Sequence, residues 1–298
     1  MSQATHKSSI VIRDLEGPDD FLKVKLAEKE VWGLSDFDVI PLTLMIASKA
    51  AGHIWVGAFD GDNLAGFAFG FLSMEQGTLK VHSHMLAVRD PYRDSDLGYK
   101  LKLAQRERAL ALPVQEMTWT FDLLRTRNAH LNFTKLGVLS NVYKADFYGP
   151  QTPSPLHRNG TDRLWVRWPM SSRRVQERLQ KQDQEKEKVN CGKIRDIFSR
   201  LVPLLQFNGN GRPLRNDLAV ALGRQRVAIE VPSDIAAMEQ KDMALAREWR
   251  LATRWAFTES LTAGFIVTEF CRSLRGQQGP GVYLLEKGTV EEFAHETA

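Results

Sequence analysis

The fold is read from His82 to Gln105, HSHMLAVRDPYRDSDLGYKLKLAQ. Residues 79–88 predict a β-strand, and a polar turn carrying Arg93, Asp94, Ser95 and Asp96 follows. An amphipathic helix then opens at Leu97 or Gly98. A strand that feeds a helix N-terminus through a tight turn leaves several backbone N–H groups without partners. Such converging donors suit a phosphate or pyrophosphate.

Working outward, the upstream chain reads as strand 9–15, then a helix after Gly17-Pro18-Asp19 reaching about Trp32. A second helix opened by Pro41 stops at Gly52. HIWVGAFD and LAGFAFGFL, joined across Gly61-Asp62-Asn63, predict a hairpin, and TLKVHSHMLAV adds a third antiparallel strand. Downstream, Pro113 ends the helix, and Met117, Trp119 and Phe121 alternate in a strand over 115–122. Asn128 opens a short helix stopped by Gly137, and VLSNVYKADFYG and TDRLWVRWP supply two more strands.

These residues resemble the GNAT superfamily of acyl-CoA-dependent N-acyltransferases. Ala87-Val88, Pro91-Tyr92, Arg93 and Gly98 match its coenzyme A loop, an Arg-x-x-Gly-x-Gly pattern between strand and helix. The first glycine of that pattern is Asp96 here. HSHMLAV, QRERAL, MTWTFD, RNAHLN and TDRLWVRW further resemble a two-lobed bacterial subgroup of acetyltransferases, some tied to N-succinyl amino acid metabolism.

The resemblance implies an α/β fold with a GNAT-type mixed, mostly antiparallel sheet flanked by helices over residues 8–170. It implies a cosubstrate, acetyl-CoA or succinyl-CoA, held by Leu86, Ala87, Val88, Arg93, Asp94, Ser95, Asp96, Leu97, Gly98, Tyr99 and Asn128. The acyl group would pass by direct attack to a small primary amine. His82 stands where relatives present a general base, and His84 is two residues along the same face. The tyrosine that serves relatives as general acid is Phe133 here, which leaves Tyr143, or Tyr148, as the replacement. Asp96 either opposes the pyrophosphate, points outward, or caps the helix. Asn128 either touches the pantetheine arm or caps its own helix. Arg125, Arg127, Arg163 and Arg167 are candidates for recognising a carboxylate.

Residues 171–192 are charged and nearly free of apolar periodicity, so a solvated linker or surface helix and a domain boundary are expected over 171–212. Residues 213–296 then read as a smaller α/β lobe: a strand at 226–232, a long helix at about 234–263, and strands at 264–274 and 281–288. That order echoes residues 115–168, so the lobe is either a partial second GNAT-like lobe or an added cap.

Composition narrows the function classes. With 43% hydrophobic and 26% charged residues over 298, the chain is of ordinary globular make-up. A net charge of +4 argues against a nucleic-acid coat. No run approaches the ~20 apolar residues that span a bilayer, so no membrane association and a cytoplasmic setting are expected. Cys191 and Cys271 have no metal-ligand spacing, and are expected as a linker thiol and a strand-buried thiol. No metal is expected, and a homodimer is left open. From another class, the alternative is a ligand-binding or scaffold protein on a degenerate GNAT fold, favoured by Asp96 and Phe133.

Overall fold

The computed structural model describes residues 10–75, 77–149, 157–180, 192, 196–197, 201, 203–272 and 279–295. These form two compact units, and the chain passes from one to the other inside a strand, between Thr118 and Trp119.

The first unit runs β1 (Val11–Asp14), α1 (Gly17–Trp32), α2 (Leu42–Ala50), β2 (Ile54–Asp60), β3 (Asn63–Glu75), β4 (Thr78–Val88), a 3-10 turn (Asp90–Tyr92), α3 (Leu97–Leu110) and the start of β5 (Glu116–Phe121). Pro18 in the first turn of α1 and Gly33 in the left-handed region at its end punctuate the helix as the sequence predicts. Strands β1 to β4 pair antiparallel in chain order, and β4 pairs β5 in parallel. Gly61 opens the two-residue β2–β3 loop at φ +57°, a backbone angle that suits glycine. Phe21, Val24, Met45, Trp55, Phe67 and Phe69 join one core, with Trp55 stacked on Phe69 at 3.9 Å.

The second unit takes up the rest of β5, then α4 (Thr126–Ala129), which continues as a π-helical turn (His130–Leu136) closed by left-handed Gly137. β6 (Leu139–Lys144), β7 (Arg163–Pro169), α5 (Arg173–Gln180), β8 (Leu205–Phe207) and β9 (Pro213–Arg215) follow. α6 (Leu218–Leu222), β10 (Arg226–Val231), α7 (Ile235–Lys241), α8 (Met243–Thr262), β11 (Phe265–Cys271), β12 (Gly281–Lys287) and α9 (Val290–His295) complete it. Its strands are ordered β7-β6-β11-β12-β10-β8-β9. Through β7 the element order is the one that the resemblance implied.

Several expectations are corrected. Compactness divides the chain inside β5 instead of at residues 171–212, because β11 pairs with β6 at Val267 and Ser140 and draws the C-terminal strands into one unit with β6 and β7. The start of the charged stretch is α5, and it is not merely solvated. Arg174 is buried and donates through Nε to Gly137 O at 3.0 Å and through Nη2 to Glu269 at 3.0 Å, while Arg178 joins the same carboxylate. Residues 181–191 of that stretch lie outside the described ones.

The long helix expected at 234–263 is two. Asp242 leaves helical geometry at φ −150° and its side chain accepts from Leu245 N–H, starting α8 afresh. Cys271 is buried in β11 and disulfide-bonded, not the free thiol expected, and Cys191 lies outside the described residues. Among the described residues no helix is long and apolar enough to cross a membrane.

Candidate active site

In the first unit the site grows from the far half of β4. The β4–β5 register among the described residues comprises Val81–Met117 and His82–Thr118, while β4 continues with β3 to Val88. One edge of β4 from Ser83 to Val88 therefore lies past the end of its parallel pairing. Successive strand residues turn their N–H and C=O groups to alternate edges, so about half of these groups face away from β3.

The loop after β4 is braced by its own side chains. Tyr92 hydroxyl donates to Asp60 at 3.0 Å, Arg93 donates to Val88 O at 3.3 Å and pairs with Asp90, and Ser95 hydroxyl donates to Tyr92 O. Arg93 and Ser95, expected to hold the cosubstrate, also brace the loop. Asp94 and Asp96 both take positive φ, +65° and +57°, which aspartate tolerates better than most residues. Asp96 is the N-cap residue of α3, yet its side chain makes no capping bond, which corrects the side-chain cap considered above. It is exposed, and Lys100 N–H makes the first intrahelical bond, to Asp96 O. The N–H groups of Leu97 and Gly98 precede that bond, and a Cβ at Gly98 would lie 3.8 Å from Val88 Cγ2 and 3.9 Å from Leu86 Cδ2.

A coenzyme A pyrophosphate and arm would need backbone donors here. The α3 N-terminus and the outward edge of Leu86–Val88 offer backbone donors of the right kind, so the residues fit. Charge contributes little, since Arg89, Arg93 and Lys100 are matched by Asp90, Asp94 and Asp96 over this turn.

His82 and His84 both lean on Phe71, with ring centroids 5.2 and 5.8 Å from it and 6.4 Å from each other. Residues two apart on a strand share a side, and the pairing with β3 is interrupted at the second of them. Gly70 opposes Ser83 and Phe69 opposes Met85, so His84 is the extra residue of a β-bulge. His82 Nδ1 is hydrogen-bonded with Thr118 Oγ1 at 3.0 Å. Burial, then the neighbouring His84 and Lys102, push its imidazolium down to about 4, so the ring is neutral at physiological pH.

Three further residues meet on β4 and α3 that sequence reading missed. Lys102 is buried and donates to Ser83 Oγ at 2.6 Å. Ser83 Oγ donates in turn to Gln105 Oε1 at 2.7 Å. The signal was available, since Lys102, Gln105 and Ala109 form a stripe beside Leu97, Leu101 and Ala104 on the buried side of α3.

In the second unit, Asn128 is exposed and lies inside α4, whose N-cap is Arg125, so the capping alternative for Asn128 does not hold. Tyr143 hydroxyl donates to Asp162, which also binds Arg254 and Asp146 N–H. Burial, then Asp162, push the Tyr143 phenol up, so its proton is held tightly. Tyr148 stacks beside His157 at 5.6 Å, and Phe133 is a core ring between Phe121 and Tyr283.

Among the candidate carboxylate-binding arginines, Arg125 pairs with Glu239 at 2.8 Å, Arg163 bonds with Asp162 O and His157, and Arg167 pairs with Glu291 at 3.2 Å. Asp122 and Arg250 form a buried two-point pair at 2.7 Å. Burial would raise the Asp122 carboxyl, but Arg250, with Arg163 and Arg125, outweighs it and holds it at about 2.

No family model matches the chain, and no curated protein matches it. Solved structures do match part of it. Escherichia coli ribosomal-protein-S18-alanine N-acetyltransferase is 15% identical, over 55% of this chain and 95% of that one, with TM-score 0.43. A GNAT-family acetyltransferase from Streptococcus pneumoniae is 14% identical, over 53% and 98%, with TM-score 0.44. Arabidopsis thaliana Naa50, in complex with a bisubstrate analogue, is 16% identical, over 53% and 97%, with TM-score 0.43.

Proposed function

We propose that this chain is an acyl-CoA-dependent N-acyltransferase of the GNAT kind. It moves an acetyl or succinyl group to a small primary amine by direct attack. The observation that carries the reading is the outward edge of β4 past His82, which runs into the backbone donors at the start of α3. In this reading Leu97 and Gly98 N–H receive the pyrophosphate, Leu86 to Val88 line the pantetheine arm, and the thioester comes to rest nearer Ser83. Arg93, Asp94, Ser95 and Tyr99 shape the turn, and Asp96 sets its left-handed step. Of the candidate catalytic groups, neutral His82 is preferred for taking the amine proton, His84 is its neighbour on the bulge, and Tyr143 is disfavoured because its proton is committed to Asp162.

The test is thermal unfolding with coenzyme A, acetyl-CoA and succinyl-CoA. Ligand bound by the folded form alone raises the melting temperature, by about 2.7 kcal/mol of stability at a hundredfold excess over Kd. Absence of any shift at millimolar ligand sinks the reading. For an active chain, His82→Ala should lower turnover by roughly 10²-fold or more while coenzyme affinity holds, and unchanged turnover removes His82 from the reaction.

The second reading is a scaffold that has lost the coenzyme. It is favoured by the charge balance of the loop and by a carboxylate at Asp96, and an absent thermal shift would support it.

A further inference from the structure

A buried lysine is costly, and α3 would pack more cheaply with leucine or methionine at Lys102. Its ammonium is 2% exposed as a residue and meets Ser83 on the first β4 position past the last β4–β5 pair. Ser83 itself is buried, and links Lys102 to Gln105 in a three-member array. Gln105 Nε2 is buried with no hydrogen-bond partner, and it lies where a Cβ on residue 70 would be only 2.8 Å away. Glycine at 70 therefore leaves room for the amide. Burial pushes the Lys102 ammonium well below the usual lysine range, so the amine is poised to be neutral and to accept a proton. The titratable groups facing it include His82 on β4, whose imidazolium a protonated Lys102 would disfavour, and His84 beyond.

Resting on the acyl-transfer reading above, we propose that Ser83 and Lys102 form the proton shuttle of the reaction, with the Ser83 hydroxyl at the reacting atoms and Lys102 behind it. The acceptor nitrogen forms its bond to the acyl carbon and gives up a proton to Ser83 Oγ as the Ser83 hydroxyl turns from Gln105 Oε1 and its proton moves to Lys102 Nζ. The carbon–sulfur bond breaks with its electron pair on sulfur. The proton then returns from Lys102 through Ser83 to the thiolate. Nitrogen has lost one proton, sulfur has gained one, and Lys102 ends neutral as it began. Ser83 thereby takes the amine proton that the reading above gave to His82, His82 orients the acceptor, and no tyrosine at position 133 or 143 is needed.

The test reads the last step in reverse and needs no acceptor. Free coenzyme A is bound to the full chain and its thiolate absorption is followed against pH, alongside calorimetric affinity. In the wild type a neutral Lys102 takes the thiol proton through Ser83. The bound thiol should therefore ionise at a pH at least one unit lower, a tenfold change in acidity, than in Lys102→Met or Ser83→Ala with affinity retained. Identical titration curves in wild type and both variants, all with coenzyme bound, overturn the shuttle and leave the acyl-transfer reading standing. Failure of the wild type to bind coenzyme A overturns both. Should Lys102→Met not fold, Ser83→Ala, which removes one oxygen, decides alone.

Discussion

Glu28 on α1 shows how one residue couples folding to pH. It is fully buried, Oε2 accepts from Ile40 N–H at 3.3 Å, and Oε1 has no partner. Burial, against smaller opposing effects of the Ile40 N–H and Lys25, raises its carboxyl to about 7. A folded-state value above the unfolded one means that the fold binds the proton more tightly. The stability it confers is complete below the unfolded value near 4.5 and drains away as pH rises toward 7. The shift corresponds to about 3 kcal/mol. Glu28→Gln should therefore melt several degrees above wild type at pH 8 and nearly with it at pH 5. Equal melting at both pH values would mean that Glu28 ionises as freely in the fold as outside it. His82 works in the opposite sense, because its folded value near 4 lies below the unfolded 6.5, so its contribution is lost as pH falls between them.

At the scale of elements, the turn from β4 into α3 carries two left-handed aspartates where the GNAT pattern has glycine at the second. Asp96→Gly should relieve about 1 kcal/mol of backbone strain. It also removes a carboxylate that would cost ~1 to ~4 kcal/mol at 4 Å from a phosphate. Melting temperature should rise and calorimetric coenzyme affinity should increase roughly tenfold or more. Weaker binding would show that Asp96 orders the turn through its side chain. The β-bulge at His84 acts at the same scale, since one inserted residue shifts the β3–β4 register between Ser83 and Met85. That insertion is not readable from HSHMLAV, because a bulge appears only when the partner strand, FAFGF in β3, fixes the register.

At the scale of the molecule, the C-terminal strands are part of the second unit's own architecture. β11 pairs β6, Arg174 reaches Thr268 O and Glu269, and Arg250 holds Asp122 at the end of β5. Deleting residues 213–296 should therefore abolish cooperative unfolding of that unit in urea. Arg250→Met should cost about 3 to 5 kcal/mol by stranding a buried carboxylate. A truncated chain that unfolds like the full one would make those residues a separable cap.

What the sequence by itself determined was the kind and order of elements through β7, the turn into α3, and the glycine stops, because periods of 2 and 3.6 and the chemistry of turns are local. Only the tertiary structure decided that Lys102 is buried on Ser83, that Tyr143 spends its proton on Asp162, that Arg174 and Arg178 meet Glu269, and that the chain divides inside β5. The side-chain contacts among these join partners 19 to 95 residues apart. A side chain's charge state and hydrogen bonds are set by whichever distant groups the fold brings against it, and no local pattern encodes that.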